Sequence, residues 1–163
     1  MWLLGHISLG YFFGSLVARF TGEKINIPLI WFCSLLPDVD EFFQGLIVHR
    51  GPTHSILVAI AIFVPIYLYY RRGLPYFAAL ASHSLVGDFL VPPLQFFWPI
   101  SSGWFGAPSS LQLHGTTETL VEISLFVLMM ALIIWRAYSD SKSVKREHLA
   151  SIPSTPAAPV DLV

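Results

Sequence analysis

The chain has 163 residues, 55% of them hydrophobic and only 12% charged, with a mean hydropathy of +0.66 and a formal net charge of −1. That charged fraction is about half of what a soluble domain carries, which argues against an ordinary water-soluble globule. The balance of charge leaves no basic field for nucleic acid, and the single cysteine, Cys33, excludes an intrachain disulfide and any multi-cysteine zinc site.

Five apolar runs follow one another at residues 2–18, 27–48, 55–70, 74–98 and 119–137. Runs of about 17–25 apolar residues are the signature of spanning helices, so the expected fold is an all-α polytopic membrane protein of about five transmembrane helices. The first run has no basic segment before it and reads as a span, not a signal peptide. The second is interrupted by Pro37-Asp38-Val39-Asp40-Glu41, the third contains Pro65, and the fourth is interrupted by His83, Gly87, Asp88 and Pro92-Pro93. Residues 1–138 form the expected membrane domain. The polar, then Pro-rich stretch at 139–163 is expected to be a disordered cytoplasmic tail.

Basic residues orient the runs. Arg19 and Lys24 follow the first, Arg71 and Arg72 the third, and Arg136, Lys142, Lys145 and Arg146 the fifth, whereas Arg50 alone falls on the other side. The positive-inside rule then puts the N-terminus outside and the C-terminus in the cytoplasm. On this topology His6, Asp38, Asp40, His49, His54, His83 and Asp88 all fall in the outer half or near the midplane. An ionisable residue in hydrocarbon costs at least ~2.5–3.5 kcal/mol, so it needs compensation. A shared cation compensates several imidazoles and carboxylates at once.

Each motif carries its own geometric condition. Residues two apart on a regular helix point about 200° apart, so Asp38 and Asp40 converge only if Pro37 breaks the chain. In His49-Arg50-Gly51-Pro52-Thr53-His54-Ser55 the Gly-Pro turn can fold two imidazoles back toward one point, and Thr53 is a candidate cap for the third helix. Arg50, with its planar fork, is expected to hold an anionic group of a substrate. His83 and Asp88 are five apart, about 140° around an α-helix. They meet only across a bulge near Gly87; otherwise one orients a ligand from behind. His114 and Glu118 are weaker candidates that read equally as loop and helix-start residues, and Glu122 is a candidate only for a supporting role.

The ordered set His6, Leu36-Pro37-Asp38-Val39-Asp40, His49-Arg50-Gly51-Pro52-Thr53-His54-Ser55, His83 with Asp88, and Phe97-Trp98-Pro99 resembles the inner-membrane, metal-dependent hydrolase family described as YdjM-like or as LexA-binding hydrolases. The resemblance spans about residues 1–138. It implies that His6, Asp38, Asp40, His49, His54, His83 and Asp88 are the metal-site residues. One departure is that the later His and Asp, expected one helical turn apart in the family, are five apart here. The order of His and Asp is also loosely similar to zinc-dependent phospholipase C.

Seven donors exceed the four that one zinc takes, so the expected cofactor is one or two divalent ions, zinc first. The expected activity is hydrolysis by water activated on the metal, with whichever of Asp38 and Asp40 is not a ligand as general base. The expected partners are membrane lipids, with a lipid or lipid-linked phosphoester at the outer leaflet as substrate. A metalloamidase of the ceramidase type, a transporter and a non-catalytic metal-binding protein are the alternatives.

Overall fold

The computed structural model describes residues 3–43 and 45–150, with side chains to residue 145. It is all-helical, with no strand among the described residues. In chain order the elements are α1 (Leu3–Thr21), α2 (Ile27–Leu35) running into a 3-10 segment (Leu36–Phe43), a short 3-10 turn (Pro52–His54), α3 (Ile56–Tyr70), α4 (Leu74–Ser82) running into a π turn (His83–Gly87) and a 3-10 turn (Asp88–Leu90), and α5 (Gly115–Ala150).

Two helices, Leu3–Thr21 and Gly115–Lys145, are long and apolar enough to cross a membrane by themselves. The helix at Ile56–Tyr70 is shorter, and the expected second and fourth runs are composites whose α-helical parts have nine residues each. The five expected runs therefore appear as two helices of spanning length, one shorter helix and two composites. Proline and glycine inside two apolar runs change the backbone period without ending the run.

α1, α2 and α4 pack on one another and form the core that positions the site. Gly10 and Gly14, one turn apart on α1, let the neighbouring helices approach closely. A β-carbon on Gly14 would lie 2.6 Å from Ile30 Cδ1 and 3.0 Å from the Pro75 carbonyl, and one on Gly10 would collide with Ser34. Asn26 caps α2 by accepting from the Leu29 N–H at 3.1 Å. Ser55, not Thr53 as expected, caps α3 by accepting from Leu57 N–H at 3.2 Å, because Thr53 is turned toward Asp40.

The chain divides into two compact units, 1–129 and 130–163. In the second, α5 continues to Ala150, so the disorder expected from residue 139 does not begin there. No proline or glycine occurs between 139 and 150, and lysine, arginine, glutamate and alanine there are good helix formers. The rest of that expectation, 151–163, lies outside the described residues.

Candidate metal centre

The site is built where α2 and α4 abandon α geometry, beside the Pro52–His54 turn and the first turns of α1. Leu36 already bonds back only three residues, its N–H to the Cys33 carbonyl. Pro37 has no N–H to continue the ladder, and its ring would press on that same carbonyl. The 3-10 segment that follows turns about 120° per residue, so Asp38 and Asp40 point in different directions. They end on opposite edges of one imidazole. Asp38 Oδ1 is 3.3 Å from His54 Nε2 and Asp40 Oδ2 is 3.3 Å from His54 Nδ1.

In α4 the Asp88 N–H bonds to the His83 carbonyl, five residues back. That π turn closes about one revolution over five residues, which puts His83 and Asp88 on one face, with Nε2 to Oδ2 at 3.5 Å. The departure from one-turn spacing is thus absorbed by the backbone. Gly87 within the turn admits His6. A β-carbon there would lie 2.7 Å from His6 Nδ1 and Cε1. His6 stacks on His83 with ring centroids 3.7 Å apart and places Nε2 3.3 Å from Asp88 Oδ1. Glu122, buried on α5, accepts from the Gly5 N–H at 3.4 Å and so holds the first turn of α1 beside His6.

The Gly-Pro turn brings its two histidines together as expected. The rings of His49 and His54 lie edge to face at 5.4 Å. Asp40 is the hub of that turn. Its Oδ1 is 2.9 Å from His49 Nδ1, and its Oδ2 accepts from the Arg50 N–H at 3.1 Å and from Thr53 Oγ1 at 2.7 Å. Being fully buried with both oxygens engaged, Asp40 orients ligands from behind them and is not placed to act as ligand or base.

Arg50 also departs from expectation. It sits in the left-handed region at φ 61°, its side chain is 11% exposed, and its Nη2 is 2.6 Å from Asp88 Oδ1. Nη1 donates to the Pro92 carbonyl. The fork expected to face a substrate anion is spent on fixing Asp88. Physically, a buried carboxylate beside three imidazoles competes for the guanidinium more strongly than solvent does.

The candidate donors form two overlapping groups, His6, Asp38, His83 and Asp88 in one, and Asp38, His49 and His54 in the other, with donor atoms within 4.8 Å of each other inside each group. Asp38 belongs to both. His114 is exposed and outside both, and Glu118 lies in the first turn of α5, also outside them.

The residues fit a divalent cation. His83 Nδ1 donates to the Ser34 carbonyl at 2.6 Å, which turns Nε2 toward the site, where it is buried with no hydrogen bond. It faces carboxylate oxygens of Asp38 at 3.3 Å and Asp88 at 3.5 Å, and buried carboxylates gathered around imidazoles call for positive charge between them, which a shared metal cation or protons on the rings can supply. His54 Nε2 lies 3.3 Å from Asp38 Oδ1 and 3.1 Å from Asp88 Oδ2. A tetrahedral cation with ~2.0–2.1 Å bonds has ligand–ligand edges of about 3.3–3.4 Å, the spacing found here. Burial opposes charge on His54, yet the carboxylates of Asp38, Asp40 and Asp88 outweigh it and push its pKa up to about 10. The same negative field would also favour a metal ion.

Sequence reasoning missed the Ser34 and Pro92 carbonyls, which as backbone groups have no residue signature. It also missed Glu41, whose Oε1 lies 3.9 Å from His49 Nε2. The 91–114 connection is tied to the site turn by Gln95 N–H to the Arg50 carbonyl at 2.9 Å and by Ser55 Oγ to the Trp98 carbonyl at 2.6 Å.

No curated protein and no solved structure matches the chain at a significant level. The pattern of the family described as YdjM inner membrane protein does match, over residues 1–144, which takes in every residue of the centre. The chain belongs to the YdjM inner membrane protein family.

Proposed function

We propose that this chain is a membrane-embedded, metal-dependent hydrolase that acts on a substrate with an apolar tail. In this reading five helical segments enter or span the bilayer, with the N-terminus outside and the C-terminus in the cytoplasm. The observation that carries it is the meeting of donors and cavity. Asp38, the residue common to both donor groups, also lines a cavity of about 650 Å3 walled by Leu3, Phe32, Leu36 and Phe42, with Glu41 as its other polar residue. That volume is within the range of small-molecule sites, and the mixture of apolar wall and one polar end suits an amphiphile.

A divalent cation, zinc first by donor type, would supply Lewis acidity and a lowered pKa for coordinated water. The chain supplies the rest. His54 is held by Asp40 and Thr53, and His83 by the Ser34 carbonyl, so their Nε2 atoms keep one direction. Asp38, about a quarter exposed, is the acid that reaches both the donor cluster and the cavity. The apolar walls would exclude water from around the tail.

The bond cleaved has two candidates. A lipid phosphoester was expected because Arg50 was to hold an anion, but Arg50 is engaged with Asp88 and Pro92. An amide-linked lipid, cleaved by a metalloamidase, therefore stands beside the phosphoester. Purified protein incubated with a panel of phospholipids, lipid phosphomonoesters and ceramides, with and without chelator, tests both. Chelator-sensitive release from one class is the expected result. Bound metal with no turnover on any class would leave a metal-binding membrane protein and end the hydrolase reading. For topology, a reporter fused after Val163 should be cytoplasmic, and a cysteine introduced at Ser109 should react with an impermeant outside reagent.

A further inference from the structure

A second cavity of about 600 Å3 lies at the other end of α1, about 22 Å from His6 at 1.5 Å per residue, where the loops α1–α2 and α3–α4 meet. Its lining includes Glu23, Lys24, Tyr67, Arg71, Arg72 and Leu74. Three cations thus share one opening with one acid, and that acid is already engaged. Glu23 Oε2 accepts from the Gly73 N–H at 2.7 Å, at the start of α4. Among the described residues, none of Lys24, Arg71 and Arg72 is in an ion pair.

The backbone enforces this gathering. Arg71 is held at φ 55°, a left-handed conformation that side-chain-bearing residues avoid, by its N–H bonding to the Tyr67 carbonyl at 2.7 Å. A glycine at 71 would serve the turn without strain. A cation is kept there instead, and an observed outlier of this kind points to a role. Like charges around one opening repel unless an anion joins them.

We propose that this cavity binds a phosphate group presented by an anionic phospholipid of the adjacent leaflet. Two guanidinium forks and an ammonium match phosphate oxygens in charge and geometry. The lipid source is favoured by the level of the site. Tyr69 and Tyr70, 80% and 67% exposed, precede Arg71 and suit an interfacial aromatic belt, and Tyr67 and Leu74 add apolar surface to the lining beside the cations. Basic pockets between helices at this level are a recurrent headgroup site. The site is independent of the metal centre and of any hydrolysis there.

The test uses the full chain in bilayer discs of phosphatidylcholine, with or without phosphatidylglycerol, read by lipid retention in native mass spectrometry and by Tm. Phosphatidylglycerol should be retained preferentially and should raise Tm. Lys24→Gln, Arg71→Gln and Arg72→Gln together should lower that affinity by about a hundredfold, from roughly fivefold per basic residue. Those cations also orient the chain, so Arg71→Gly is the second variant. It suits the backbone, keeps two cations, and should lose about fivefold with unchanged metal content. If inorganic phosphate in phosphatidylcholine discs alone reproduces the rise in Tm, the anion site stands with an aqueous source. No preference for phosphatidylglycerol in the wild type, or wild-type preference in both variants, would overturn the proposal.

Discussion

The two ends of the α1–α2–α4 core use similar apolar sequence in opposite ways. Around Gly14, Ile30 and Ala79 the helices are regular α, and the buried side chains are hydrocarbon apart from the serine hydroxyls of Ser15 and Ser34, with no ionisable group among them. At the His6 end α2 has tightened to 3-10 and α4 has loosened to π, and His6, Asp40, His54, His83 and Asp88 lie there at 1% exposure or less. An α-helix returns a residue to one face only every 3.6 positions, too sparsely to supply a closed donor set from short segments. Changing the period is how two helices and one turn bring five candidate donors to the place where His6 of the regular helix α1 already stands. The cost is irregular backbone in a membrane protein, tolerated because the freed groups are buried against protein.

The largest effect expected at the irregular end comes from Asp88, whose two oxygens face His6 and Arg50 on one side and His54 and His83 on the other. Asp88→Asn keeps the shape and removes the charge, leaving a buried guanidinium uncompensated at about 3–5 kcal/mol. Metal content by elemental analysis should fall to background, and Tm should fall with it. Retained metal would remove Asp88 from the donor set.

A sharper test changes the period itself. Deleting Leu85, which is 48% exposed, leaves His83 and its aspartate four apart, where a regular α-helix puts them on one face. Metal content should survive that deletion. Inserting one alanine after Leu85 should abolish it, because six positions on an α-helix put the pair about 240° apart. Equal loss in both would mean that the π turn matters for packing and not for bringing the donors together.

This contrast also explains what could be read from the sequence. Which residues gather was legible, because imidazole and carboxylate in hydrocarbon have few other uses, and so was the Gly51-Pro52 reversal that brings His49 to His54. The direction of each side chain was not. Asp38 and Asp40 look equivalent in a linear sequence, and only the 120° step of the 3-10 segment makes one a donor and the other the hub of the turn. Arg50 could be seen as isolated, but a long side chain can face either way, and the carboxylate it meets is 38 positions on. The kind of helix was hidden for the same reason, since hydropathy registers an apolar run and is blind to the change of period inside it. The continuation of α5 beyond residue 139 was hidden by polarity, although every residue to Ala150 tolerates a helix.

A smaller effect is expected at Arg50. Arg50→Lys keeps a charge near Asp88 but cannot serve Asp88 and the Pro92 carbonyl with one planar group. Removing an orienting partner of a ligand costs about 10–100-fold in metal affinity, so titration with a competing chelator should show a loss in that range. The change should be the same whether turnover is assayed on an anionic or a neutral lipid. A defect confined to anionic lipids would show that the guanidinium also reaches substrate, and it would restore the phosphoester as the leading bond.

The smallest differences separate two exposed histidines. His49 has a side chain 42% exposed but belongs to the group with Asp38 and His54, its Nδ1 fixed by Asp40 and its Nε2 3.9 Å from Glu41 Oε1. His114 is exposed and belongs to neither group. His49→Ala removes one donor of three from the second group and none from the first. A protein that binds two ions should drop to one, while stability changes little because an exposed ring buries little surface. His114→Ala should change neither metal content nor stability by more than about 0.5 kcal/mol, the usual range for a surface substitution. If His49→Ala keeps the wild-type metal content, the second group holds no ion, and His49 and Asp40 act together to align His54 for a single metal at the first.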